Sequence, residues 1–195
     1  MFKQSLTVLG VALLLILAST GLHAQILEID LSVANQVTIT GTSGPASASA
    51  SGSDTTGVYF ENFYGGAGSA LSETLVSGDL TNAENPADGT PDLFRGGVGS
   101  DPGLNLWSWS SDSTVTFTAG MPAFIGSATW TLDAASYADM LSGATAGNVY
   151  FPADTEDDIA AGATDIGRYR VIVPEPSALS LLSVLGLSLL GIRRR

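Results

Sequence analysis

Apolar and polar residues alternate along short runs of this chain, and no other feature of the sequence limits its fold so strongly. In Leu27-Glu28-Ile29-Asp30-Leu31-Ser32-Val33 every odd position is apolar, and Val37-Thr38-Ile39-Thr40 repeats the pattern. A period of two sets the apolar side chains on one face of an extended segment, so each run predicts a half-buried strand. The same logic predicts strands at 57–63, 71–76, 104–109, 114–118, 125–132, 147–151 and 166–173. Clusters of Gly, Asn, Asp and Pro separate them, and those residues supply turn geometry. The expected fold is all-β, an antiparallel β-sandwich of jelly-roll type.

One short helix is expected from Ala134 to Leu141, with Asp133 as its N-cap and Gly143 just past its end. The segment Ser43 to Thr56 is rich in Ser, Ala and Thr and reads as a long loop within a single domain. With 195 residues and no internal repeat, one domain is the prior.

Both ends of the chain break the alternation. Met1 to Ala24 carries one cation, Lys3, then an apolar run from Val8 to Ala18, then Leu22-His23-Ala24. Those are the three zones of a secretory signal peptide, and cleavage is expected between Ala24 and Gln25 by signal peptidase. The apolar core is shorter than the ~20 residues of a spanning helix, although an uncleaved anchor is the competing reading. Cleavage would remove the chain's one histidine, His23.

The C-terminal end reads Val173-Pro174-Glu175-Pro176, an apolar stretch from Ser177 to Ile192, then Arg193-Arg194-Arg195. The two prolines can continue neither a helix nor a sheet ladder, so they hold an extended segment that an enzyme can grip. The apolar stretch measures about 24 Å as a helix, slightly short of a ~30 Å hydrocarbon core. Three terminal arginines stay cytoplasmic under the positive-inside rule, which puts the body of the chain across the membrane.

Val173 to Arg195 resembles the PEP-CTERM sorting tail of exported proteins in Gram-negative bacteria. The Pro-Glu-Pro motif, the short Leu-rich segment and the arginine cluster occur in that order at the very end of the chain. The resemblance implies that Val173, Pro174, Glu175 and Pro176 are read by a membrane-embedded exosortase and that the tail is removed or exchanged there. It also implies a transient stay in the inner membrane, then the cell surface or extracellular matrix, alongside exopolysaccharide. A plain single-pass anchor would account for the helix and the arginines but not for the Pro-Glu-Pro. The chain is thus expected to divide into a signal peptide at 1–24, a β-sandwich body at 25–172 and a sorting tail with a membrane-spanning helix at 173–195.

The body is acidic. Of the chain's 19 acidic residues all but Glu175 lie between Gln25 and Val173, against Arg95, Arg168 and Arg170 alone. Such a field repels phosphate backbones, which excludes nucleic acid as a partner. The chain has no cysteine, and the body after Ala24 has neither histidine nor lysine. Thiol and histidine triads, histidine-ligated zinc, Schiff-base chemistry and lysine-dependent phosphate loops are therefore out of reach there. Only carboxylates remain as general acids or bases, and nothing in the sequence singles out a facing pair. A non-enzymatic role is expected, as a structural or adhesive component of an exopolysaccharide or biofilm matrix. A carbohydrate-binding module and a carboxylate-based glycoside hydrolase are the alternatives.

Two local patterns bear on those alternatives. Trp107 and Trp109 lie two residues apart, so within a strand both would project from one face, either into the core or outward as a platform for sugar rings. Asp154, Glu156, Asp157 and Asp158 form a candidate calcium set, with a looser one at Glu84, Asp88 and Asp92; a solvated acidic loop is the other reading of each. The runs Gly65-Gly66-Ala67-Gly68 and Gly96-Gly97-Val98-Gly99 have no following lysine and read as plain loops.

Overall fold

The computed structural model describes residues 23–68, 70–110 and 114–173, and there the chain is mostly β. In chain order the strands are β1 (Gln25–Asp30), β2 (Gln36–Gly41), β3 (Ala50–Ser53), β4 (Val58–Phe60), β5 (Glu73–Gly78), β6 (Thr81–Asn82), β7 (Asp92–Phe94), β8 (Leu104–Trp107), β9 (Thr114–Phe117), β10 (Phe124–Ile125), β11 (Ser127–Leu132), β12 (Ala146–Phe151) and β13 (Thr164–Ile172). Helix α1 (Ala134–Leu141) precedes β12 and helix α2 (Glu156–Ala161) follows it. Nine strands make one sheet in the order β5-β11-β2-β1-β13-β12-β4-β8-β7, while β6 pairs β10 and β3 pairs β9 in two-stranded sheets.

Alternation explains the large sheet. Leu27 and Ile29 of β1, Val37 and Ile39 of β2, and Ala128 and Trp130 of β11 are buried, and the residues between them are only partly so or exposed. Ile29 faces Ile39, and Ile39 faces Ala128, so the apolar row runs across the strands. The small sheets lie against this core through rings. Phe117 of β9 stands 5.3 Å from Phe124 of β10 and 5.0 Å from Phe151 of β12, centroid to centroid. Phe60, Phe63 and Tyr169 form a second cluster, with Tyr169 stacked on Phe60 at 5.4 Å.

Two features depart from the expected purely antiparallel sandwich with one helix. First, β1 and β13 pair in parallel at the middle of the sheet, Ile29 opposite Val171 and Asp30 opposite Ile172. Every other strand pair is antiparallel. Parallel neighbours need a long connection, and here almost the whole body supplies it, so no local pattern could announce the pair. Second, α2 is an additional helix, built on a capping box in which Thr155 and Asp158 satisfy each other's backbone N–H groups. Helix α1 has the expected limits, and its cap is as expected: Asp133 Oδ1 accepts from Ser136 N at 2.7 Å. Tyr137 of α1 donates to Leu31 O at 2.6 Å, pinning the helix beyond the end of β1.

The segment expected as one long loop, 43–56, contains β3 and follows the core closely, with Ala46 N donating to Met121 O and Ser47 N to Ile166 O. The predicted strand at 104–109 stops at Trp107, because Ser108 adopts a left-handed φ of 59°. Strands β6, β7 and β10 are two or three residues long and fall inside turn-rich segments.

The two edges of the large sheet curl toward each other. The Glu73 carboxyl of β5 interacts with the backbone N–H of Leu93 on β7, and burial and nearby Asp92 raise it above the ordinary carboxylate range while that N–H pulls it down. A register shift opposite Thr129 and Trp130 leaves Val76 as a bulge on β5. An inward-pointing acid and a bulge both disfavour strand addition at an exposed edge. The predicted C-terminal membrane helix at 177–192 and residues 1–22 of the expected signal peptide lie outside the described residues. Among the described residues no helix is long and apolar enough to cross a membrane.

Candidate functional site

The outward face of β4, β8 and β7 is where the sheet carries polar and aromatic side chains instead of a solvated surface. Register places Tyr59 beside Asn105 and Asn105 beside Phe94, with Trp107 two residues further along β8. The loop through Asp101 covers part of this face. Tyr59 donates its hydroxyl to Asp101 Oδ1 at 2.6 Å, Gly103 N donates to the same oxygen at 2.8 Å, and Glu156 N donates to Oδ2 at 3.2 Å. Burial, then the hydrogen bond and charge of Asp101, push the Tyr59 hydroxyl well above its ordinary range, so it remains a neutral donor.

Asn105 holds the next layer. Its Nδ2 donates to Thr56 O at 2.8 Å and to Ala153 O at 2.7 Å, which joins the turn after β3 to the turn before α2. Both donors point at carbonyls, so the amide orientation is settled. Its Oδ1 is buried and meets no donor among the described residues, as does Oδ1 of Asp54 nearby in sequence. A buried amide oxygen without a partner costs free energy comparable to a lost hydrogen bond. Around Asn105 lies a cleft of about 150 Å³ lined by Thr55, Phe94, Asn105, Trp107 and Asp154. Next to it, a cavity of about 310 Å³ is lined by Gly97, Ser100, Asp101, Pro102, Thr155, Glu156 and Asp157.

The tryptophan pair forms neither a shared platform nor a shared patch of core. Trp109 belongs to the core at 5% exposure, whereas Trp107 is half-buried at the surface. The left-handed Ser108 between them turns the chain, so the two rings part. Phe94 takes the place of the second ring, with its centroid 5.7 Å from that of Trp107 and the planes inclined by 51°. Sequence reasoning missed Phe94, Asn105 and Thr55. The alternation in Asp92-Leu93-Phe94, with only Leu93 buried, was the available signal, but the strand is three residues long.

The candidate calcium residues are assigned other tasks. Asp158 Oδ2 accepts from Asp154 N at 2.8 Å and from Thr155 N at 3.4 Å, as the cap of α2 requires. Burial, followed by the side-chain hydrogen bond with Asp158, raises the Asp154 carboxyl above the ordinary range. Glu156 and Asp157 stand in the first turn of α2, where the helix dipole favours anions. In the looser set the residues look to separate partners. Glu84 accepts from the backbone and hydroxyl of Thr118, Asp88 accepts from Asn85 Nδ2 at 2.9 Å, and Asp92 sits on β7 near Glu73. Among the described residues no group of three or more His, Cys, Asp or Glu side chains is placed to hold a metal ion. Asp154 and Asp158 touch each other directly, which leaves no space between them for a glycosidic bond.

The first glycine run packs against its neighbours, and the second supplies the positive φ of Gly97 (60°) and Gly99 (89°). The Arg95 guanidinium donates to Gly66 O at 2.5 Å and to Asp101 O at 3.0 Å, and it lies 3.8 Å over the Tyr64 ring. It also bridges to Asp139 of α1 at 3.2 Å. A Cβ at Gly68 would sit 2.0 Å from the Asp139 carboxylate, so the loop is glycine-rich because it presses against α1.

At the ends, the expected cleavage position between Ala24 and Gln25 coincides with the start of β1, and Ala24 O accepts from Arg168 N at 3.0 Å. His23 Nδ1 lies 3.1 Å from Asp165. Val173 is the last described residue, one step past β13, while Pro174, Glu175, Pro176, Arg193, Arg194 and Arg195 lie outside the described residues. Comparison of the chain with protein-family models, with curated proteins and with solved structures finds no match.

Proposed function

We propose that this chain is an exported, surface-sorted, non-enzymatic protein of an exopolysaccharide or biofilm matrix, released from its membrane tail by an exosortase. The observation that carries the reading is where the folded body stops. Strand β1 begins at Gln25, the first residue after the expected signal cleavage, and β13 ends at Ile172, two residues before Pro174. The described strands thus fit within the interval between the two expected addresses. Because β1 and β13 run in parallel, the start of β1 and the end of β13 lie at opposite ends of the sheet. A tail held in the inner membrane would then point the former signal end away from it, into the compartment where the body belongs.

In this reading the body is a β-sandwich curled toward a barrel, with the two small sheets as its second layer, and it serves as a rigid element among polysaccharide chains. Its acidity supports solubility outside the cell. Carbohydrate binding is a second reading, favoured by the cleft at Phe94 and Trp107. The first experiment is the intact mass and fractionation of the protein in its native host, with and without replacement of Pro174, Glu175 and Pro176 by alanine. The expected wild-type product starts at Gln25, ends near Pro176 and appears in the matrix, and the mutant keeps its arginines in the inner membrane. If both proteins retain Arg195 and stay membrane-bound, the tail is an anchor and the matrix reading falls.

A further inference from the structure

We propose that the cleft formed by Phe94, Trp107, Thr55, Asn105 and Asp154 is a glycan subsite that takes one sugar ring bearing a free, protonated amine. The inference rests on the matrix reading above and names a ligand class for it.

Shape is the first ground. The cleft, at about 150 Å³, is smaller than the roughly 300–1,000 Å³ of pockets for drug-sized ligands, and its scale is that of a single ring. Two aromatic side chains form one wall. Phe94 is 41% exposed on the outermost strand, and the inclined Trp107 ring backs it. An aromatic face receives the C–H face of a pyranose, while the ring's substituents reach polar groups at its edge. Those groups are the Thr55 hydroxyl, which also contacts Ser53 Oγ at 2.7 Å, and the Asp154 carboxyl.

Polar satisfaction is the second ground, independent of shape. Asn105 is 1% exposed and lines the cleft, and its Oδ1 is the acceptor that the protein leaves unmet. Its two N–H donors are engaged by Thr56 O and Ala153 O, so this amide has none left to offer an acidic sugar's carboxylate.

Charge decides between neutral and amino sugars. The adjoining cavity shares the turn before α2 and presents Asp101, Glu156 and Asp157, and among the described residues no cation lines either space. Arg95 is buried in its bridge to Asp139. A ring bound on Trp107 thus has carboxylates at its edge and along the direction of the next unit, which attracts an ammonium and repels a uronate.

The test is calorimetric titration of the exported protein, purified from its host, with a fully deacetylated glucosamine tetramer at about pH 6, where the amines are charged. The N-acetylated tetramer and a polygalacturonate fragment are the comparison probes. The amine-bearing tetramer is expected to bind about tenfold more tightly than the N-acetylated one, with the polyanion not binding. Trp107→Ala and Phe94→Leu should each weaken it about tenfold, and Asp154→Asn should remove the preference for the amine while leaving the residual affinity for the N-acetylated probe. Circular dichroism checks each variant's fold. Should Trp107→Ala unfold, Phe94→Leu and Asp154→Asn carry the test. Equal affinity for both tetramers, or undiminished binding by the folded Phe94 and Asp154 variants, overturns the proposal and reduces any binding to diffuse charge. Fractionation separates the two ideas. A matrix-located protein that binds no tetramer refutes the cleft alone, and an inner-membrane protein that binds through Trp107 refutes the matrix reading alone.

Discussion

Replacing Arg95 with alanine should be among the most damaging single changes in the body, and the reason is geometric. The guanidinium is almost wholly buried and spends its donors on three separate segments: Gly66 O in the glycine-rich loop, Asp101 O in the loop over Tyr59, and the Asp139 carboxylate of α1. Its flat face also rests on Tyr64. Truncation leaves two carbonyls without their donor and opens a cavity between α1 and β7. Breaking a buried ion pair by removing one partner costs about 3–5 kcal/mol. A chain of this length loses roughly 2–4 °C per kcal/mol, so the melting midpoint should fall by about 6–20 °C. Asp139→Asn gives the contrast. The amide keeps an acceptor for the guanidinium but leaves the buried Arg95 charge unpaired, so the expected cost is about 1–3 kcal/mol, smaller than that of Arg95→Ala because no cavity opens. Lysine at position 95 keeps the charge but not the fork, so it should recover only part of the loss. Urea titration followed by tryptophan fluorescence reads all three. An Arg95→Ala protein within about 1 kcal/mol of wild type would refute the view that this side chain ties the loops to the sheet.

Four further outcomes follow from the packing and the titrating groups. Glu73→Gln should stabilise the fold at neutral pH. The carboxyl is raised in the folded state, so its contribution is fully present below its ordinary 4.5 and is lost as pH rises through the raised value, and the gap between variant and wild type should widen over that window. A gap that does not change with pH would deny the seam its buried charge. Gly143→Ala places a Cβ 1.7 Å from Phe63 O, a backbone atom, and should prevent α1 from docking, seen as loss of near-ultraviolet dichroism. Phe151→Ala removes the ring that joins the large sheet to β9 and should cost about 3–5 kcal/mol in the same urea titration. Asp133→Ala removes the α1 cap and should raise hydrogen exchange in the first turn of that helix while leaving β1 and β13 unchanged.

Alternation, capping chemistry and the two terminal patterns were legible without coordinates. Leu27, Ile29, Val37 and Ile39 were identified as core by period alone, and α1 by Asp133 and Gly143. These are local properties: the residues that decide them lie within a few positions of each other, so the physical cause is contained in a short window of sequence. The candidate site was legible only in part. Trp107 was singled out, but its companion was taken to be Trp109, because spacing in a strand implies a shared face and nothing local reveals that Ser108 turns left-handed.

What the sequence by itself determined is the β class of the body, the approximate place of its longer strands and of its first helix, and the chemistry closed to it after Ala24 for want of cysteine, histidine and lysine. Only the tertiary structure decided the parallel pairing of β1 with β13, the near closure of the sheet at Glu73, and the meeting of Thr55, Phe94, Trp107 and Asp154 in one cleft. Each of those joins residues far apart in the chain. Such contacts are chosen by the burial of the whole apolar surface at once, a sum over all strands that no local window contains.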